Sequence, residues 1–259
     1  MAQALSKPMP NRVPSVDIAF WLIKLLAVTM GETAADYLAE NLGLGLATTS
    51  WIMAAVLVVS LVIQFAQRRY VPWAYWLAVV LVSIVGTLIT DNLVDNLGVA
   101  LEITTIAMAL LLAGTFSAWY LTERTLSIHT IYTTRREAFY WLAILLTFAL
   151  GTGLGDWLAE AQGLGYLQTG LIFAGVIAAI AFAYYVLKLN AVAAFWLAYI
   201  FTRPLGASFG DLLSQPAEYG GLGFGTILTS FLFLAAIVLL VGYLTVKSSN
   251  QAPAGRSAG

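Results

Sequence analysis

The sequence predicts an all-α integral membrane protein of eight transmembrane helices, built as four tandem parallel two-helix repeats in two duplicated halves. Three observations predict it. The chain is 61% hydrophobic and only 10% charged, against roughly 45–50% apolar in soluble domains. It carries eight apolar runs of span length. One residue spacing occurs four times, always within an odd-numbered run.

The runs place helices near residues 16–40, 46–66, 72–96, 99–121, 138–160, 165–187, 190–213 and 223–246. Each is long enough for the about 20 apolar residues that a bilayer crossing needs. A barrel would alternate in polarity along each strand, and stretches such as LVIQFA and FLFLAAIVLL do not. The transmembrane domain therefore covers 16–246, with repeats at about 16–66, 72–121, 138–187 and 190–246. Residues 1–15 form an N-terminal tail, and 247–259 a disordered C-terminal one. The start of the chain lacks the apolar core and small-residue cleavage site of a signal peptide.

Charge orients the bundle. Lys7, Arg12, Arg68, Arg69, Arg124, Arg135, Arg136, Lys188, Lys247 and Arg256 fall in the tails or in loops after even helices, whereas the connections near 41–46, 97–99, 161–165 and 214–222 hold no Lys or Arg. Basic loops stay cytoplasmic, so both termini are expected inside. The absence of cysteine, a single histidine and a net charge of −1 exclude thiol chemistry and zinc fingers and argue against a nucleic-acid partner, whose affinity rests on many phosphate contacts. The spans leave no room for a soluble catalytic domain, and no enzymatic activity is expected.

The repeated spacing is W-x9-G-x4-D: Trp21, Gly31, Asp36; Trp76, Gly86, Asp91; Trp141, Gly151, Asp156; and Trp196, Gly206, Asp211. A leucine follows two residues after each Asp. An acid follows four after it in three copies (Glu40, Asp95, Glu160), where the fourth has Gln215. The first and third copies match further, through DYLAENLGLGLATT and DWLAEAQGLGYLQT. This pattern, from about residue 16 to 246, resembles a family of bacterial "membrane-anchored" multi-pass proteins made of four tandem repeats of unknown function, each with two transmembrane helices and a signature tryptophan, here Trp21, Trp76, Trp141 and Trp196. The resemblance implies a bacterial inner membrane and brings no established chemistry.

Each Trp sits near the inner end of its helix, the depth of an interfacial aromatic belt. The Gly near the midplane suits close helix packing. The Asp comes about 22 Å beyond the Trp at 1.5 Å per residue. Since every repeat crosses twice, the four Asp residues should share one depth around a pseudo-symmetry axis. Ten of the thirteen acids lie toward the outer side. Ionisable groups within spans usually mark an ion or substrate path, so Asp36, Asp91, Asp156 and Asp211, with Glu32, Glu40, Asp95 and Glu160, are the candidate cation-binding residues. Shaping of the hairpins, with the carboxylates accepting backbone or Thr hydrogen bonds, is the structural alternative.

Glu32 lies deeper than the Asp positions and in one copy only; Thr87, Thr152 and Ala207 stand in the others. Lys24 and Arg203, the two basic residues inside spans, are candidate counter-charges that compete with an entering cation, or else structural ion pairs. Arg203-Pro204 predicts a kink in the seventh helix. Oxygen ligands suit hard ions such as Mg²⁺, Mn²⁺ or Ca²⁺. Thr49, Thr104 and Thr169, each thirteen residues after its Asp, offer more oxygen or simply bond to backbone. The G-x-G-D at 153–156 looks like half of an intramembrane aspartyl protease signature, but the Tyr-Asp pair and Pro-Ala-Leu segment are missing. His129 reads as a solvated loop residue. The expectation is transport of a hard divalent cation across a bilayer. The alternatives are a non-transporting scaffold or sensor, and a proton-coupled carrier of another solute.

Overall fold

The computed structural model describes residues 10–250, with side chains to 248; expectations for 1–9 and 251–259, including most of both tails, lie outside it. Among the described residues there are eight long helices and no strand: α1 Ile18–Asp36, α2 Leu46–Ala66, α3 Pro72–Asp91, α4 Leu101–Glu123, α5 Thr134–Asp156, α6 Tyr166–Tyr185, α7 Ala191–Ser214 and α8 Thr226–Asn250. All eight are long and apolar enough to cross a membrane. The chain is a multi-pass membrane protein of the predicted fold class.

The odd helices form a closed ring in which α1 packs on α3, α3 on α5, α5 on α7, and α7 back on α1. Each even helix covers the odd helix of the next repeat: α2 lies on α3, α4 on α5, α6 on α7, and α8 closes the circle on α1. The two arms of a repeat therefore do not form a packed hairpin; each repeat leans on its successor. Burial follows from this. Between 61 and 67% of each odd span is buried, against 17–22% of each even span. The even helices form the outer wall, and the inner ring carries the polar residues.

The glycines set the ring's closeness. A Cβ at Gly31 would collide with Ser83, at Gly86 with Phe148, at Gly151 with Arg203, and at Gly206 with Val28. Each glycine is thus a notch that accepts one equivalent residue of the adjacent repeat, the close approach expected of small residues between spans.

The tryptophans correct an expectation. Instead of an outward belt, Trp76, Trp141 and Trp196 are buried and Trp21 is half-buried. Each meets an aromatic of the neighbouring repeat: Phe20–Trp76 at 5.6 Å, Tyr75–Trp141 at 5.5 Å, Tyr140–Trp196 at 6.2 Å and Phe195–Trp21 at 5.8 Å between ring centroids. Such pairs contribute roughly 0.5–1.5 kcal/mol each beyond area burial. The Tyr75 and Tyr140 hydroxyls are hydrogen-bonded at 2.5 Å, which satisfies two polar groups that the aromatic layer buries. The basic end of the ring is closed by this layer.

The described part of the expected N-terminal tail, residues 10–15, is fastened across the basic end. Asn11 Nδ2 donates to Ile128 O at 2.9 Å and its Oδ1 accepts from Ile131 N at 3.0 Å, while Arg12 N donates to Ile131 O at 2.9 Å. Arg12 pairs with the fully buried Glu137 at 2.6 Å, and Gln64 donates to the other Glu137 oxygen at 2.9 Å. Tyr70 N bonds Asn11 O at 2.9 Å, and burial pushes the Tyr70 hydroxyl up to about 12.

Candidate functional site

On each odd helix the residues four apart, which form one ridge of an α-helix, supply successive layers about 6 Å apart at 1.5 Å per residue. From the basic end these are the aromatic layer Phe20, Tyr75, Tyr140, Phe195; then Lys24, Val79, Ile144, Tyr199; then Val28, Ser83, Phe148, Arg203; then Glu32, Thr87, Thr152, Ala207. All sixteen are buried. The next layer is the four Asp residues, and the last is Glu40, Asp95, Glu160 and Gln215.

At the acidic end α1, α3 and α5 each pass from α-helix into a π-helical turn immediately after the Asp, at Tyr37–Asn41, Asn92–Asn96 and Trp157–Ala161. Single π turns of this kind are frequent at functional sites. The fourth copy ends α-helical at Ser214, just before Pro216. Gly43, Gly98 and Gly163 then take positive φ of 66–68°, which glycine adopts without strain and which turns the chain into the even helix.

All eight candidate carboxylates line one cavity of about 160 Å³ among these turns, with Thr90 and Gln215 beside them. That is room for about five waters at roughly 30 Å³ each. Exposure falls inward. Glu40, Asp95 and Glu160 are exposed at the rim, Asp36, Asp91 and Asp156 are half-buried, and Asp211 and Glu32 are only 6% and 5% exposed. Carboxylate oxygens of Glu32, Asp156 and Asp211 lie within 4.8 Å of one another.

The four Asp side chains accept no hydrogen bond from the chain and form no ion pair among the described residues. This departs from the hairpin-shaping alternative, which gives each a backbone or Thr donor. Of the rim acids, Glu160 accepts from Tyr166 Oη at 3.0 Å.

The floor of the cavity is asymmetric. Arg203 Nη2 pairs with Glu32 Oε2 at 2.6 Å and donates to Thr152 Oγ1 at 2.7 Å and to Thr87 Oγ1, which itself donates to Glu32 Oε2 at 3.1 Å. One guanidinium of the fourth repeat thus gathers the three polar equivalents of one layer. Its Nε and Nη1 are buried without partners, and its charge lies 5.4 Å from the Phe148 ring centroid. Pro204 follows inside α7, which continues through it as one helix.

Two expectations need correction. Lys24 reaches no carboxylate. It donates to Tyr199 O at 2.6 Å and to Thr202 Oγ1, over the Tyr199 ring, because it lies two layers below Glu32, so among the described residues the counter-charge beside the acids is Arg203. Thr49, Thr104 and Thr169 do not line the cavity, and their buried hydroxyls also lack the expected backbone bond; the helix start that carries them faces the neighbouring odd helix instead of the axis. His129 is exposed, as expected of a loop residue. Sequence reasoning missed the roles of Thr87 and Thr152, although their equivalence to Glu32 was the signal that could have placed them, and missed the Arg12–Glu137–Gln64 network, whose members share no spacing.

The sequence profile described as "Repeat of Unknown Function (DUF347)" matches residues 19–70, 74–125, 139–190 and 194–249. The chain belongs to the DUF347 repeat family. The four matched segments each span one odd helix and the even helix after it, so a DUF347 repeat is the unit that interlocks with its successor. Comparison with curated proteins and with solved structures gave no significant match.

Proposed function

We propose that this DUF347 protein carries a hard divalent cation across a bacterial inner membrane, with the acidic end facing out and both termini in the cytoplasm. The observation that carries this reading is the set of four Asp carboxylates converging on one cavity with no hydrogen bond and no ion pair among the described residues. Charges held inside a membrane protein are normally paired or placed on an ion path, and these are unpaired. The bare acidic connections attract a cation, and the exposure gradient leads it inward. The orientation follows the basic residues of the tails and of the connections after even helices, eight of which lie among the described residues at the other end.

A second cavity, of about 710 Å³ and mostly apolar, approaches from the basic end among α1, α6, α7 and the segment after α4, where it is lined by Asp17, Trp21, His129, Phe195, Thr202 and Leu205. Thr202 lines this cavity and also binds Lys24, and the buried layers of Val28, Ser83, Phe148 and Arg203 and of Glu32, Thr87, Thr152 and Ala207 stand between that contact and the acidic cavity. A carrier that opens alternately to each side needs such a barrier.

Flux of Ca²⁺, Mn²⁺, Mg²⁺ and H⁺ in vesicles containing the purified protein tests the reading. Divalent flux should depend on the protein and fail in the Asp36→Asn, Asp156→Asn double variant at unchanged melting temperature or above. Full flux in that variant, or no flux of any ion, would reject it. The aromatic closure of the basic end favours a second reading, a sensor that binds the ion without passing it, and binding without flux would select that one.

A further inference from the structure

Resting on the reading of the acidic cavity as a cation site, we infer that it holds one divalent cation, off the pseudo-fourfold axis, at Glu32, Asp156 and Asp211, and that Arg203 is its tethered stand-in. Four-fold repetition alone suggests a symmetric ring of Asp residues. The geometry breaks that symmetry. Only three of the eight carboxylates bring oxygens within 4.8 Å of one another, and they come from α1, α5 and α7. Two of the three are more than nine-tenths buried, and Asp211 points into the cavity with no hydrogen-bond partner or counter-ion from the chain. Asp36 and Asp91 complete the ring without joining the triad, so they act on the approach.

Oxygens that all lie within 4.8 Å of one another can share one ion with bonds of about 2.4 Å, inside the range for Ca²⁺, whereas Mg²⁺ would need them drawn in to about 2.1 Å with near-ideal octahedral geometry. The flexible coordination of Ca²⁺ suits the triad better than that of Mg²⁺. Open coordination positions are available to cavity water.

Glu32 is already spoken for by Arg203 at 2.6 Å. A cation entering the triad must share or take that carboxylate. Arg203 has somewhere to go: Thr87 and Thr152 hold the same guanidinium nitrogen, and the Phe148 ring lies alongside its charge. Gly151, where a Cβ would collide with the Arg203 stem, leaves the side chain its place. Arg203 thus keeps the deepest carboxylate neutralised until an ion arrives, and it sets the site's affinity by competition.

The test is titration of the purified full-length protein in nanodiscs with Ca²⁺ by calorimetry and with Mn²⁺ by electron paramagnetic resonance. The wild type should bind one ion per chain, with Mg²⁺ displacing it at least tenfold less effectively. Glu32→Gln and Asp211→Asn should weaken binding a hundredfold or more, and Asp36→Asn only a few-fold. Arg203→Gln should tighten binding tenfold or more; Arg203→Lys, which keeps the charge on a shorter donor set, is the companion variant should the first not fold, and it should tighten binding less. No binding to the wild type would defeat the cation reading as a whole. Binding of several ions per chain, full affinity in Glu32→Gln, or weaker binding in both folded Arg203 variants would overturn this inference while leaving that reading intact.

Discussion

The two ends of the bundle bury charge in opposite ways. At the basic end Glu137 has no exposed surface, yet both its oxygens are used, one by Arg12 at 2.6 Å and the other by Gln64 at 2.9 Å. Glu123 beside it binds Arg136 at 2.7 Å and Arg135 at 3.0 Å. At the acidic end four Asp side chains meet around one cavity and, among the described residues, accept no hydrogen bond and join no ion pair. Burying a carboxylate costs several kcal/mol unless hydrogen bonds or a counter-charge repay it. The basic end repays that cost from within the chain and so is architecture. The acidic end shows no such compensation among the described residues, and the proposal of a cation carrier rests on that difference.

The contrast breaks most visibly at Glu137. Glu137→Ala leaves the partly buried Arg12 without its carboxylate and unfastens the N-terminal segment, so it should cost about 3 kcal/mol, measured by thermal denaturation in detergent. Ion binding at the other end should not change. If the variant is as stable as the wild type, the basic end is not the structural clasp described here.

The glycine notches sharpen the comparison at intermediate size. Gly86→Ala presses on Phe148 and on the Ala149 backbone and should cost about 1–3 kcal/mol as an overpacked contact, with ion affinity untouched. Gly151→Ala presses instead on Arg203. At a similar cost in stability it should change ion affinity too, since Arg203 holds Glu32. Equal affinities in the two variants would show that the notch at Gly151 serves packing alone.

How much of this was legible beforehand follows from what a linear spacing carries. W-x9-G-x4-D fixes depth, so the common level of Asp36, Asp91, Asp156 and Asp211 and the packing role of the four glycines could be read directly. Spacing carries no azimuth between helices. It could not show that Trp76, Trp141 and Trp196 turn toward the next repeat and away from lipid, or that α2 leaves α1 to cover α3. The repeat register does separate Lys24, three residues after Trp21, from Arg203, seven after Trp196, so their two-layer and one-layer distances from Glu32 were legible; that Lys24 turns to Thr202 and the Tyr199 carbonyl was not. The Arg12–Glu137 pair is separated by 125 residues and lies outside the repeat, so no internal comparison pointed to it.

The smallest effect bears most directly on the central claim, that the acidic end lacks a partner the chain does not supply. The measurement is the melting temperature of the full-length protein and its Asp211→Asn variant, each with chelator and with millimolar Ca²⁺. With chelator the variant should melt above the wild type, because removing one of several crowded like charges gains on the order of 1 kcal/mol. Ca²⁺ should raise the wild type, as a ligand that binds only the folded state must, and should leave the variant where it was. A variant that melts lower than the wild type with chelator, and that gains as much from Ca²⁺, would mean that Asp211 is structural and that the contrast between the two ends is false.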